Sequence, residues 1–251
     1  DEGTLLSAAI REDNLFGRGY QVGLQTSISS KIQTGTASFT DPNFQDRDFS
    51  LGGDLFATQE EFSTFESERQ GGRINLGKSL TDDLGALLSY EISSLKVTAV
   101  SALARQDIID IEGDTKIESK MSPSLVYDTR NNRIVPEDGI LFVVNPEMSG
   151  GFLGGDINVA SIRIAFRQYL NVGAKLRFRL LKKLIWSYRT ELQYVDALSG
   201  SLPIFRRLYL AGRTAIRGFN RDDLGPRDQA GEAIGGYTTG LFSTELVHPF
   251  F

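Results

Sequence analysis

Trp186-Ser187-Tyr188-Arg189-Thr190-Glu191-Leu192-Gln193-Tyr194 alternates residue by residue: Trp186, Tyr188, Thr190, Leu192 and Tyr194 share one parity, Ser187, Arg189, Glu191 and Gln193 the other. Successive side chains of a β-strand point to opposite faces, so a strand here has a mainly apolar face and a polar, charged one. The same period of two recurs elsewhere. Tyr20, Val22 and Leu24 alternate with Gln21, Gly23 and Gln25, and Ile162, Ile164 and Phe166 with Arg163, Ala165 and Arg167. No stretch sustains helical i, i+3, i+4, i+7 apolar spacing well enough to compete. The pattern predicts strands at 4–12, 19–29, 33–41, 49–58, 70–79, 84–97, 115–127, 139–149, 156–169, 184–196 and 236–247. Turn signals stand between them, among them Phe16-Gly17-Arg18-Gly19, Asp41-Pro42-Asn43, Thr81-Asp82-Asp83, Asn131-Asn132, Pro136-Glu137-Asp138-Gly139 and Gly235-Gly236. Residues 174–181 also alternate, and either extend a neighbouring strand or form a short hairpin arm.

The fold class is all-β, and strand length separates two kinds of it. Crossing a bilayer takes about 9–11 tilted residues, against a mode of about 5–6 in globular sheets. Most of the segments belong to the longer class. Short turns alternate with longer polar connections such as 59–69 and 198–235, as periplasmic turns alternate with external loops in outer-membrane barrels. Aromatics near strand ends (Phe16, Tyr20, Phe39, Phe44, Tyr169, Tyr194, Phe250, Phe251) suit interfacial girdles, though aromatics are common in strands generally. A transmembrane antiparallel β-barrel is therefore favoured over a soluble all-β domain.

Composition removes several functions. The 251 residues carry 27 Lys+Arg and 32 Asp+Glu, a formal charge of −5. Phosphate binding needs a clustered positive field, so nucleic acid is not an expected partner. Cysteine is absent and His248 is the only histidine, which removes disulfides, thiol catalysis and thiolate or His-rich metal sites. No motif supplies His248 with triad partners; beside Pro249 it reads as an interfacial residue. Neither enzyme chemistry nor a cofactor is expected. No run approaches the roughly 18 apolar residues of a membrane helix. The chain opens Asp1-Glu2-Gly3 with no basic-then-apolar leader, and reads as an interior fragment or mature segment.

The connection 198–235 is far longer than ordinary loops, and such loops are usually functional or disordered. It is not disordered in composition, since Phe205, Leu208, Tyr209, Leu210, Ile216 and Phe219 give it apolar surface to bury. At its centre stands Ala215-Ile216-Arg217-Gly218-Phe219. Gly218 permits a sharp turn, and Arg217 brings a planar fork that grips carboxylates bidentately. On the following strand Phe242 and Leu246 share a face, while Glu245 shares the opposite parity with Thr239 and Ser243. Glu245 is thus a candidate lumen counter-charge for Arg217. The alternative is an exposed turn arginine and a solvated lumen glutamate.

Ile216-Arg217-Gly218-Phe219 resembles the (V/I)RG(F/Y) signature in the sixth extracellular loop of BamA-type outer-membrane assembly factors. Other stretches resemble that family in the same order. Asp13-Asn14-Leu15-Phe16-Gly17-Arg18-Gly19-Tyr20 is similar to its second-to-third strand turn, and Thr40-Asp41-Pro42-Asn43-Phe44 to its fourth-strand end. Tyr127-Asp128-Thr129-Arg130 with Pro136 and Gly139 is similar to the D-x-R…P-x-x-G hairpin before strand nine. Arg207 to Gly212 and Leu224-Gly225-Pro226 flank the signature as in the family, and Gly235-Gly236 through Glu245-Leu246 resembles strand twelve. One such likeness occurs by chance; an ordered set along nearly the whole chain does not.

The resemblance implies a sixteen-strand barrel, of which residues 1–251 supply about strands two to twelve, with 198–235 folding into the lumen. There Arg217 would bond Glu245 and an acid on strand thirteen, while Asp128, Arg130, Pro136 and Gly139 fix a structural hairpin. Strand one, strands thirteen to sixteen and the periplasmic POTRA domains lie outside the sequence, so the fragment is expected to be inactive alone. The implied function is non-covalent folding and insertion of β-barrel proteins into the outer membrane of a Gram-negative bacterium. The implied partners are unfolded outer-membrane proteins, outer-membrane lipid and lipopolysaccharide, and accessory lipoproteins through the periplasmic domains. The driving force is physical: unpaired backbone groups in hydrocarbon cost several kcal/mol each, and a strand edge templates another chain. The alternatives are a two-partner-type secretion pore, which Phe219 in place of Tyr mildly disfavours, or a translocation-and-assembly barrel of the same superfamily. Two further stretches have plain readings. Arg177, Arg179, Lys182 and Lys183 meet headgroup phosphates or form a solvated strand end, and Asp107 to Glu118 is a solvated acidic turn region.

Overall fold

The computed structural model describes residues 4–61, 65–100, 113–173, 183–210, 216, 219, 224–227, 231 and 233–248. Eleven strands follow one another: β1 (Leu6–Leu15), β2 (Tyr20–Ile28), β3 (Ile32–Asp41), β4 (Phe49–Glu61), β5 (Glu66–Ser79), β6 (Leu84–Thr98), β7 (Thr115–Asp128), β8 (Gly139–Ser149), β9 (Val159–Asn171), β10 (Ile185–Ala197) and β11 (Thr238–Val247). They form one antiparallel sheet in sequence order, each strand hydrogen-bonded to its chain neighbours. The predicted strands all appear. The first runs on through Asp13 and Asn14 to Leu15, because a register shift between Glu12 and Leu15 absorbs the residues that read as a turn. The alternating stretch 174–181 lies outside the described residues.

The registers carry the period of two from strand to strand. On one face stand Leu24, Leu55, Ile74, Leu88, Ile92, Leu125, Phe142, Ile162, Leu192 and Leu246, all exposed. Tyr188 stacks edge-on between Phe166 at 5.9 Å and Phe242 at 4.9 Å on that face. The other face carries the charges and the buried positions. Among the described residues the core therefore lies on a single face, in two clusters. Phe65, Leu95, Val97 and Ile204 make one, and Ile157, Val159, Val195 and Leu202 the other.

Phe205 packs against both clusters. In a flat sheet β6 and β9 lie three spacings apart, roughly 14 Å. Ile204 is buried with Leu95 and Val97 of β6, and Leu202, two residues earlier, with Val159 of β9 and Val195 of β10, so the sheet curls around this segment. The polar, buried face is the inner face, and the segment 202–208 lies within the curve. Its direction is set locally by Pro203 and a single 3-10 turn, Ile204–Arg206.

Candidate functional site

Inner-parity side chains of β4 to β8 form one charged network. On β5, Arg69 and Arg73 flank Gly71, where a Cβ would stand 2.4 Å from the Ile92 carbonyl oxygen. Only glycine lets β6 come this close, which brings Glu91 between the two guanidiniums. Arg73 donates to Glu91 Oε2 through Nη2 at 2.7 Å and Nε at 3.0 Å, and Arg69 also bonds Glu91. Arg69 Nη2 reaches Glu118 Oε2 at 2.8 Å on β7, and its Nε donates to Ser93 Oγ. Glu118 is 1% exposed and accepts a second bond from Ser149 Oγ at 2.6 Å on β8. Lys120 stands 3.8 Å from Glu91 and 4.0 Å from Glu147. Both arginines also face the Phe56 ring, at 5.9 and 5.6 Å from its centroid.

The in-folded segment completes this network. Arg206 Nε lies 3.5 Å from Glu118 Oε1, and its Nη2 lies 3.7 Å from Glu147 Oε2. Its Nε is buried without a hydrogen bond, so the contact with Glu118 is charge attraction rather than a formed bond. With Asp54 4.0 Å from Arg73, four cations (Arg69, Arg73, Lys120, Arg206) meet four carboxylates (Asp54, Glu91, Glu118, Glu147). Buried charge of this kind is tolerated only when paired. A second, smaller cluster lies on β9 and β10, where Arg163 donates to Glu191 at 2.7 Å and Arg189 at 3.0 Å.

The sequence-chosen residues fall as follows. Register Glu245↔Ser187 puts Glu245 on the inner face, two residues along β11 from Ser243, the partner of Arg189. Ile216 is half-buried and Phe219 is 46% exposed. Arg217 and Gly218 lie outside the described residues. At the end of the sheet away from Ala197 and Thr238, Arg130 clamps Asp128 through Nε at 2.8 Å and Nη2 at 2.9 Å, and its backbone N–H adds a third bond. That hydrogen-bonded carboxylate raises the Arg130 pKa further above its already high ordinary value. Pro136 is half-buried in the same turn. Gly139 has φ +107°, and a Cβ there would lie 2.4 Å from the Thr129 carbonyl oxygen.

Two things differ from the sequence reading. Glu118 is not solvated: it sits inside β7 on the inner parity, where Arg69 and Ser149 hold it buried. The segment reaching into the curve does so in part through Arg206, which sequence reasoning passed over. Its signal was the Arg206-Arg207 pair inside the otherwise largely apolar run 202–210. Arg73, Glu91 and Lys120 were legible only as charges on adjacent predicted strands, and Arg69 fell in the predicted connection 59–69, most of which β4 and β5 take up.

A family model described as the Omp85 superfamily domain matches residues 14–251. The chain is 29% identical over 247 residues to outer membrane protein assembly factor BamA of Nitratidesulfovibrio vulgaris, covering 98% of this chain and 30% of that protein. It is 28% identical over 243 residues to the sorting and assembly machinery component 50 homolog of Mus musculus, covering 94% of this chain and 48% of that protein. The crystal structure of BamA from Haemophilus ducreyi lacking POTRA domains 1-3 superposes with a TM-score of 0.85 at 20% identity, over 100% of this chain and 52% of that one. CdiB from Escherichia coli superposes at 0.62 and 13% identity, over 100% and 46% of the two chains. The chain thus spans between about a third and a half of the proteins it resembles.

Proposed function

The chain belongs to the Omp85 superfamily, and from that membership we propose that it is part of the barrel wall of a β-barrel assembly factor in a bacterial outer membrane. The protein acts on unfolded outer-membrane proteins without covalent chemistry. The likeness to an assembly factor over 98% of the chain carries this reading. The physical design supports it. One face of the sheet offers apolar side chains to hydrocarbon, and every strand but the first and last has a hydrogen-bonded neighbour on both sides, as a lipid-embedded wall requires. The connection 198–235 folds inward, its near part held by Arg206. Arg217 locks its far part against Glu245, with Ile216, Gly218 and Phe219 shaping the turn. Asp128, Arg130, Pro136 and Gly139 brace the hairpin between β7 and β8.

The test uses the intact protein in proteoliposomes. The folding rate of an unfolded outer-membrane barrel substrate is compared for wild type and Arg217→Ala. Acceleration by wild type, reduced in the variant, is the expected result. Ion conductance with no acceleration of folding would replace this reading with that of a polypeptide secretion pore.

A further inference from the structure

Between β7 and β8 the ladder lapses. Pairing passes through Lys120↔Ser149 and Met121↔Met148, then resumes at Leu125↔Val144. That register sets Pro123 directly opposite Pro146. Neither residue has an N–H, so the two bonds such a pair would exchange are both missing. Asn145 Nδ2 donates to the Pro123 carbonyl at 3.1 Å as a substitute. Proline inside a sheet is confined to edges and bulges, so two facing each other in an interior pair need a reason.

Both rings project from the outer, apolar face, on the parity of Leu125 and Val144. Leu76, Leu88, Pro123 and Pro146 form one row of cross-strand partners from β5 to β8, and Lys78 and Ala86 begin the next. Over these rows lies an outward-open depression of about 680 Å³. It crosses three interstrand spacings, roughly 14 Å. The small side chain of Ala86 is part of its floor, and its lining is apolar except at one end. There the ammonium of Lys78, next to last in β5, has no hydrogen bond or ion pair among the described residues.

We propose that this trough binds one membrane phospholipid, with an acyl chain along the leucine–proline row and the headgroup phosphate on the Lys78 ammonium. The proposal rests on the outer-membrane barrel reading. Hydrocarbon tolerates no unpaired backbone donor, and the proline pair presents none where the ladder is open. A lysine near a strand end meets the headgroup layer, where its compact charge suits phosphate. The ladder break and the lysine are independent features that converge on one occupant.

The intact protein in detergent is offered equal amounts of phosphatidylglycerol and phosphatidylcholine, and bound lipid is counted by native mass spectrometry. Wild type retains one phosphatidylglycerol preferentially. Lys78→Gln lowers that retention roughly fivefold, the value of one cationic side chain at an anionic surface, and leaves phosphatidylcholine unchanged. Ala86→Phe fills the floor and lowers both. Heat-modifiable gel migration verifies that each variant still folds. Equal retention by wild type and both variants, or many lipids bound without preference, leaves only general annular contact and overturns the site. Failure of the barrel reading looks different: the protein would then stay soluble without detergent and would not enter vesicles.

Discussion

Glu118→Gln isolates the charge at the centre of the inner network. The carboxylate is 1% exposed, 2.8 Å from Arg69, 2.6 Å from Ser149 and 3.5 Å from Arg206. At an effective dielectric of about 20, Coulomb attraction at these distances is roughly 6 kcal/mol for Arg69 and 5 kcal/mol for Arg206. Desolvation of the three ions offsets most of that. Breaking a buried pair by neutralising one partner typically costs about 3–5 kcal/mol. Here Arg69 keeps Glu91 and Arg206 keeps Glu147 at 3.7 Å, so the loss falls at the low end, about 3 kcal/mol. Urea unfolding of the intact protein in detergent, followed by semi-native gel migration, measures it. The connection 198–235 should also be cleaved faster by added protease. A loss below about 0.5 kcal/mol, the size of an ordinary surface substitution, with unchanged cleavage would refute the reasoning and leave the apolar contacts as the sole anchor.

Arg206→Met should destabilise less than Glu118→Gln, by about 1–2 kcal/mol, and the double variant should lose less than the sum, with coupling of about 1 kcal/mol in the same urea assay. Gly139→Ala puts a Cβ 2.4 Å from the Thr129 carbonyl at φ +107°. It should cost at least about 2 kcal/mol and lower the refolding yield from urea. Asp128→Asn leaves the half-buried Arg130 without its clamp and should cost about 1–2 kcal/mol, with cleavage of the 129–138 turn by trypsin as a second readout. Arg217→Ala should speed protease cleavage within 198–235 while leaving the strands folded by circular dichroism; equal cleavage rates would remove Arg217 from the anchor.

The strands were legible because each has one face in contact with hydrocarbon or solvent and one with charge. That forces the alternation seen at Trp186 to Tyr194 and at Tyr20 to Gln25. Glu245 could be given its face from parity alone, and the register agrees. The network was less legible, because pairing depends on register and no single strand reveals it. Arg73 lies on a predicted strand and Arg69 just before it, but their common partner Glu91 is fixed only once Arg73 is set opposite it, and Glu118 once Ser93 is. Glu118 looked solvated because it follows the acidic run from Asp107, and composition cannot separate a strand's first turn-proximal residues from the turn itself. Arg206 was hidden differently. Its neighbours Leu202, Ile204, Phe205 and Leu208 announce burial, and nothing in the sequence tells which of Arg206 and Arg207 turns to carboxylates, or to which ones.

The two kinds of contact in the in-folded segment do different things. Leu202, Ile204, Phe205 and Leu208 supply burial, which is non-directional and allows the segment to slide along the wall. Arg206 ends that freedom, because only one position puts it between Glu118 on β7 and Glu147 on β8. Buried charge adds little net stability in such a place but selects one arrangement among several apolar ones, which the double-variant cycle tests. Through these contacts one short segment joins β5 and β6 to β7 and β8 and on to β9 and β10. A polypeptide passing through the curve of these strands would have to displace the segment and separate Arg206 from Glu118 and Glu147. A polypeptide adding to a strand edge leaves all of it in place and gains backbone hydrogen bonds as it pairs. The arrangement is thus in keeping with the proposed addition of a substrate at a strand edge.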